Sequence, residues 1–98
     1  MEKEKKGIIK QVKVYNLTSP RSNKEVPNQF EIQTPDGTYF QSYRTIIAFR
    51  GADKVYLDRD SWNYSTTTSK YRNQFLGETT KETKQKIKSG EYILTNLN

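Results

Sequence analysis

The residues in this chain best equipped for chemistry are cationic. Lys70, Arg72, Lys81, Lys84 and Lys88 fall within residues 70–90, where six basic side chains stand against two acidic ones. Ammonium and guanidinium groups at that density can neutralise phosphates and release counterions, giving salt-dependent, sequence-tolerant affinity. Lys81, Lys84 and Lys88 recur at helical spacing and so fall along one side of a helix. The same pattern also describes an ordinary solvated helix face. Tyrosine is the second informative type, because seven of the 98 residues are tyrosine and its ring suits half-exposed surfaces. Tyr39 and Tyr43 share a strand face with Gln41 between them, and Tyr15 lies outward beside Lys13 on an earlier strand. As neighbours these residues would form an aromatic and basic platform on which bases stack. Otherwise they complete a core short of aliphatics.

Catalysis is poorly provided for. Histidine and cysteine are both absent, which removes imidazole bases, thiolate nucleophiles, disulfides and the usual zinc ligands. Asp58-Arg59-Asp60 offers a close carboxylate pair, and oxygen ligands alone can hold Mg²⁺, but a strand or turn would splay the two side chains apart. A nuclease built on Asp58, Asp60, Glu91 and a lysine meets the spacing and nothing more specific. No phosphate-cradling GK[ST], no G-x-G-x-x-G and no G-x-S-x-G occurs. The expectation is therefore a protein that is not an enzyme and needs no cofactor.

These side chains must be positioned by one small domain spanning 1–98, with 32% hydrophobic residues and a formal charge of +6. That charge favours polyanions or acidic protein surfaces as partners, or simply solubility. No run of about 18 apolar residues exists to span a membrane, and MEKEKKG leads into no secretory segment because Ile8 and Ile9 run into Lys10. The expectation is a soluble intracellular protein.

Residues 1–6 read as a frayed, charged terminus. GIIKQVKVYNL reads as a strand, with Ile8, Val12 and Val14 facing one way. Residues 18–28 contain two prolines and read as a loop whose Arg21 and Lys24 could reach phosphates. QFEIQT and TYFQSY flank Pro35-Asp36-Gly37, a turn signal, and so read as a β-hairpin. The second arm continues through RTIIAF, which predicts a long strand bent near Arg44 and Thr45. RGAD reads as a turn before KVYLD, a short strand.

The C-terminal third turns helical. A threonine near 66 or 67 can cap a helix with Tyr71 and Phe75 facing inward, Lys70 and Asn73 outward, and Gly77 at its end. Thr79 to Glu82 has the form of a capping box, and Gly90 closes a second helix anchored by Ile87. EYILTNL alternates again and can add a final strand. The sum is an α+β domain: an antiparallel sheet of four to six strands packed against two short helices. The expected core comprises Val12, Val14, Phe30, Ile32, Phe40, Ile46, Val55, Leu57, Trp62, Phe75, Leu76, Ile87 and Ile93.

VPNQF, YFQSYRTIIAF, VYLD, WNYSTTTSKYRNQFLG, KET and KIKSGEYILTNLN together resemble a family of small proteins of unknown function from tailed phages and mobile elements of Firmicutes hosts. The likeness runs from residue 26 to the C-terminus, over roughly three-quarters of the chain. It implies a phage-encoded protein working in the cytoplasm of its bacterial host, and it carries no catalytic or binding residue with it. Two readings follow for the partner: nucleic acid, single-stranded or duplex, or a host enzyme such as a polymerase or defence nuclease.

Overall fold

The computed structural model describes residues 11–98. Six strands form one sheet in the order of the sequence: β1 (Lys13–Thr18), β2 (Glu25–Thr34), β3 (Gly37–Ser42), β4 (Thr45–Arg50), β5 (Val55–Asp58) and β6 (Tyr92–Thr95). Two helices, α1 (Thr66–Leu76) and α2 (Thr80–Ser89), lie between β5 and β6. β1 to β5 pair antiparallel, whereas β6 runs parallel to β5. The expected α+β fold of up to six strands, two helices and a final strand is what forms, and that final strand makes the otherwise antiparallel sheet mixed. The physical reason is the connection: two helices carry the chain back to the end where β5 began, and a crossover of that kind delivers a parallel strand.

The β2–β3 hairpin closes as its sequence predicts, with Thr34 opposite Gly37 and only Pro35 and Asp36 between them. Gly37 has φ 153°, and a Cβ there would come within 2.6 Å of the Arg50 carbonyl oxygen and of Phe49 Cζ. Only glycine admits both the backbone and the Phe49 ring lying over it. The long bent strand predicted after this hairpin is instead two strands joined by a tight turn. Tyr43 takes φ 57° there, its N–H donates to the Asn28 carbonyl at 2.7 Å, and its own carbonyl accepts from Gln41 Nε2 at 2.7 Å. A non-glycine residue in that conformation leaves little trace in sequence.

The core lies between the sheet and the helices, around Leu17, Phe40, Ile47, Ala48, Leu57, Tyr71, Phe75 and Tyr92. Phe40 and Phe75 meet with ring centroids 5.8 Å apart. Trp62, Val55, Leu76 and Ile87 pack around this cluster as expected. Several expected core residues sit elsewhere. The β3–β4 register shifts between Phe40 and Gln41, and the extra residue is Ile47, which is buried where Ile46 was expected. Val12 and Val14 are 56% and 58% exposed, Val14 because it lies on the edge strand β1 and on the face away from the helices, Val12 because it precedes that strand. Phe30, Ile32 and Ile93 are half-buried on that same face. The expected loop at 18–28 is shorter, since β2 begins at Glu25 and accommodates Pro27 and the positive φ of Asn28 within an irregular pairing with β1. Ile8 and the rest of the predicted N-terminal strand before residue 11 lie outside the described residues.

Candidate nucleic-acid interface

α1 starts where the sequence can satisfy its orphan N–H groups. Ser65, one residue before the expected threonines, is the cap and accepts from the Thr68 N–H at 3.1 Å. Gly77 ends the helix at φ 71°. Tyr71 and Phe75 face the core and Lys70 faces solvent, as the i, i+4 spacing predicts. α2 opens with the full capping box, Thr79 and Glu82 each accepting from the other's backbone, and ends at Gly90.

Arg72 does not join the surface lysines. It is fully buried, and its guanidinium donates to the Trp62 carbonyl, to Asn63 Oδ1 at 3.2 Å, to Asn73 Oδ1 at 2.8 Å and to Thr80 Oγ1 at 2.8 Å. The Trp62 ring lies 5.1 Å away. All of these acceptors are neutral, and Nε has no hydrogen-bond partner among the described residues. Burial pulls the Arg72 pKa down while the charge of Glu78 works the other way, and a guanidinium stays protonated throughout. Arg72 thus ties the 61–65 turn to both helices, and a phosphate cannot reach it directly.

Above it lies an open polar groove of about 630 Å³ lined by Asn63, Tyr64, Ser65, Thr66, Ser69, Lys70, Asn73 and Thr80. Four of these, Asn63, Ser69, Asn73 and Thr80, hydrogen-bond Arg72 from the other side. The groove therefore has a buried positive charge beneath it, the N-terminal end of α1 in its wall and Lys70 at its lip. Tyr64 is 55% exposed and is the aromatic group of this site. Nothing local in the sequence shows that the turn presents Tyr64 outward rather than to the core.

Thr80 joins the groove to α2, whose Lys81, Lys84 and Lys88 are exposed. Lys86 is different: Nζ meets Glu78 Oε1 at 2.8 Å, and the same oxygen accepts from the Tyr92 hydroxyl at 2.7 Å. Burial would raise the Glu78 pKa, but hydrogen bonds from Lys86, Thr83 and Tyr92 hold it below the usual value. Glu78 raises the Lys86 pKa, and burial together with Glu78 pushes Tyr92 up to about 12. This cluster fastens α2 to β6.

The aromatic platform expected from Lys13, Tyr15, Tyr39 and Tyr43 is not assembled. Tyr39 lies on the sheet face opposite the helices, with its ring 4.5 Å from that of Phe49. Lys13 and Tyr15 point to the other face of β1, and Tyr43 sits in the β3–β4 turn. The Asp58 carboxylate is likewise occupied: Oδ1 accepts from the Leu97 N–H at 3.0 Å and from Asn98 Nδ2 at 3.1 Å. Burial would raise the Asp58 pKa, and these bonds together with Ser61 and the Asp60 N–H lower it overall. Among the described residues no three potential metal-ligating side chains cluster. No helix among them is long and apolar enough to cross a membrane.

The fold and site define a small α+β domain, a mixed six-stranded sheet with a basic helical layer on one face. The chain belongs to a family of unknown function, DUF8033, whose model matches residues 12–91. No curated protein and no solved structure matches it.

Proposed function

We propose that the chain is a phage-encoded, non-enzymatic nucleic-acid-binding protein that acts in the cytoplasm of a bacterial host. The observation that carries the reading is the continuity of the helical layer. A polar groove over the buried Arg72 charge, with Lys70 at its lip, runs through Thr80 into the exposed row Lys81, Lys84 and Lys88. A backbone phosphate fits the groove, which offers hydroxyl and amide donors over a buried positive charge that Glu78 offsets only in part, and the lysines take the following phosphates. Tyr64 supplies one stacking surface beside the groove. Such an interface reads backbone and stacking, so it tolerates sequence. The phage origin rests on the resemblance of the phrases between residue 26 and the C-terminus.

The test is fluorescence anisotropy of a labelled single strand and a labelled duplex, each titrated at about 50 and about 200 mM salt. Binding that weakens steeply with salt is expected. No binding of either probe at the lower salt would refute the reading. The alternative partner is a host enzyme such as a polymerase or defence nuclease, whose acidic or DNA-like surface the same basic face would meet.

A further inference from the structure

A largely antiparallel sheet with helices on one face ordinarily turns polar residues outward on the other. This one does not. Val14, Ile32, Tyr39, Phe49, Tyr56 and Ile93 pair in register across all six strands and form one uncharged row. Rings pack along the row, Tyr39 to Phe49 at 4.5 Å and Phe49 to Tyr56 at 6.2 Å. Phe30 and Ile46 widen it. None of these residues is fully buried among the described residues. A contiguous apolar face of this kind marks a docking surface, and its lack of cations disfavours a phosphate backbone as occupant.

Charges at the two ends of the strands indicate which protein fits. The β2–β3 and β4–β5 turns carry Asp36 and Asp53 at one end. The β3–β4 turn and the residue after β5 carry Arg44 and Arg59 at the other. Lys54 and Asp60 dilute this contrast and Glu91 reinforces it, while Lys13 and Arg50 at the acidic end lie on the helix side of the sheet, away from this face. Between Asp36 and Asp53 lies a depression of about 230 Å³ lined also by Phe49, Tyr56 and Lys54, so that two carboxylates, one ammonium group and two aromatic rings surround one space of net negative charge. Those are the surroundings an arginine takes.

We propose that this face is the interface of a homodimer: two copies pack sheet to sheet with strands running oppositely, so that the Arg44 and Arg59 end of one meets the Asp36 and Asp53 end of the other. A two-fold axis along the row produces that match and makes the contact self-complementary. Six strands about 4.8 Å apart, contacting over some five residues each, give a footprint on the order of 500 Å² per copy, near the lower limit for a specific interface. A weak dimer is expected from an interface of that size. The inference is independent of the proposed function, and it leaves Lys70 and the Lys81, Lys84 and Lys88 row facing outward.

Sedimentation equilibrium of the full chain tests it. A dimer at about 100 µM is expected, with Tyr56→Lys weakening it at least about tenfold while the circular dichroism spectrum is kept. The surface double variant Asp36→Lys, Asp53→Lys should weaken the dimer, and adding Arg44→Glu and Arg59→Glu should restore it, because both ends are then exchanged. A monomer at that concentration overturns the proposal. A dimer insensitive to Tyr56→Lys overturns it in favour of strand-edge pairing. Failure of the fourfold variant to recover overturns the antiparallel orientation.

Discussion

Replacing Lys81, Lys84 and Lys88 together by glutamine asks most directly whether the helical layer binds phosphates. All three side chains are exposed, so the change should leave the thermal transition within about 2 °C of the parent. Lys86 is excluded from the count because Glu78 holds its ammonium at 2.8 Å. If Lys70, Lys81, Lys84 and Lys88 each neutralise one duplex phosphate, the slope of log K against log salt is about −3.6, and affinity falls about 150-fold between about 50 and about 200 mM salt. With Lys70 alone the slope is about −0.9 and the fall only about 3.5-fold. On a single strand, where each contact releases less counterion, the parent slope is about −2.8. The assay is anisotropy of a labelled duplex across several salt concentrations, with Lys86→Gln as the control. That control should lower the denaturation midpoint and leave the slope within about 0.5 of the parent. A triple variant that keeps the parental slope would refute the reasoning, since phosphate contacts would then lie elsewhere on the molecule.

Arg72→Met keeps much of the volume but strips hydrogen bonds from the Trp62 carbonyl, Asn63, Asn73 and Thr80. A loss of at least about 2 kcal/mol in urea unfolding is expected, and a neutral result would mean these groups find other partners. Gly37→Ala places a methyl 2.6 Å from a backbone oxygen and from the Phe49 ring, so it should unfold at clearly lower urea than the parent, whereas Gly77→Ala meets no atom and bears only the cost of its positive φ. Stability should also depend on acid. The Glu78 and Asp58 pKa values lie below their ordinary 4.5 and 3.8 in the folded chain, so their contribution is complete above those values and fades as pH falls further. The urea midpoint should hold from pH 7 to about 5 and then drop, more shallowly in Glu78→Gln; an equal drop in that variant would remove Glu78 from the explanation.

The local elements were legible because each is written in a few adjacent residues. Thr79 and Glu82 specify a capping box, Gly77 and Gly90 specify helix ends, and Pro35-Asp36-Gly37 specifies a two-residue turn. Tyr71 and Phe75 at i, i+4 were bound to share the inward side of α1. The sequence by itself also determined the absence of imidazole and thiolate chemistry and the basic balance of residues 70–90. Tertiary structure decided everything that depends on which strand meets which. The bulge at Ile47 exchanged Ile46 for its neighbour in the core, the crossover made β6 parallel, and the turn at Tyr43 divided one expected strand into two. It also turned Arg72 inward, brought Tyr64 to the groove and scattered Tyr15, Tyr39 and Tyr43. Alternation along a strand shows that two faces exist and cannot show which one the helices will cover, because that choice is made by contacts between residues far apart in the chain.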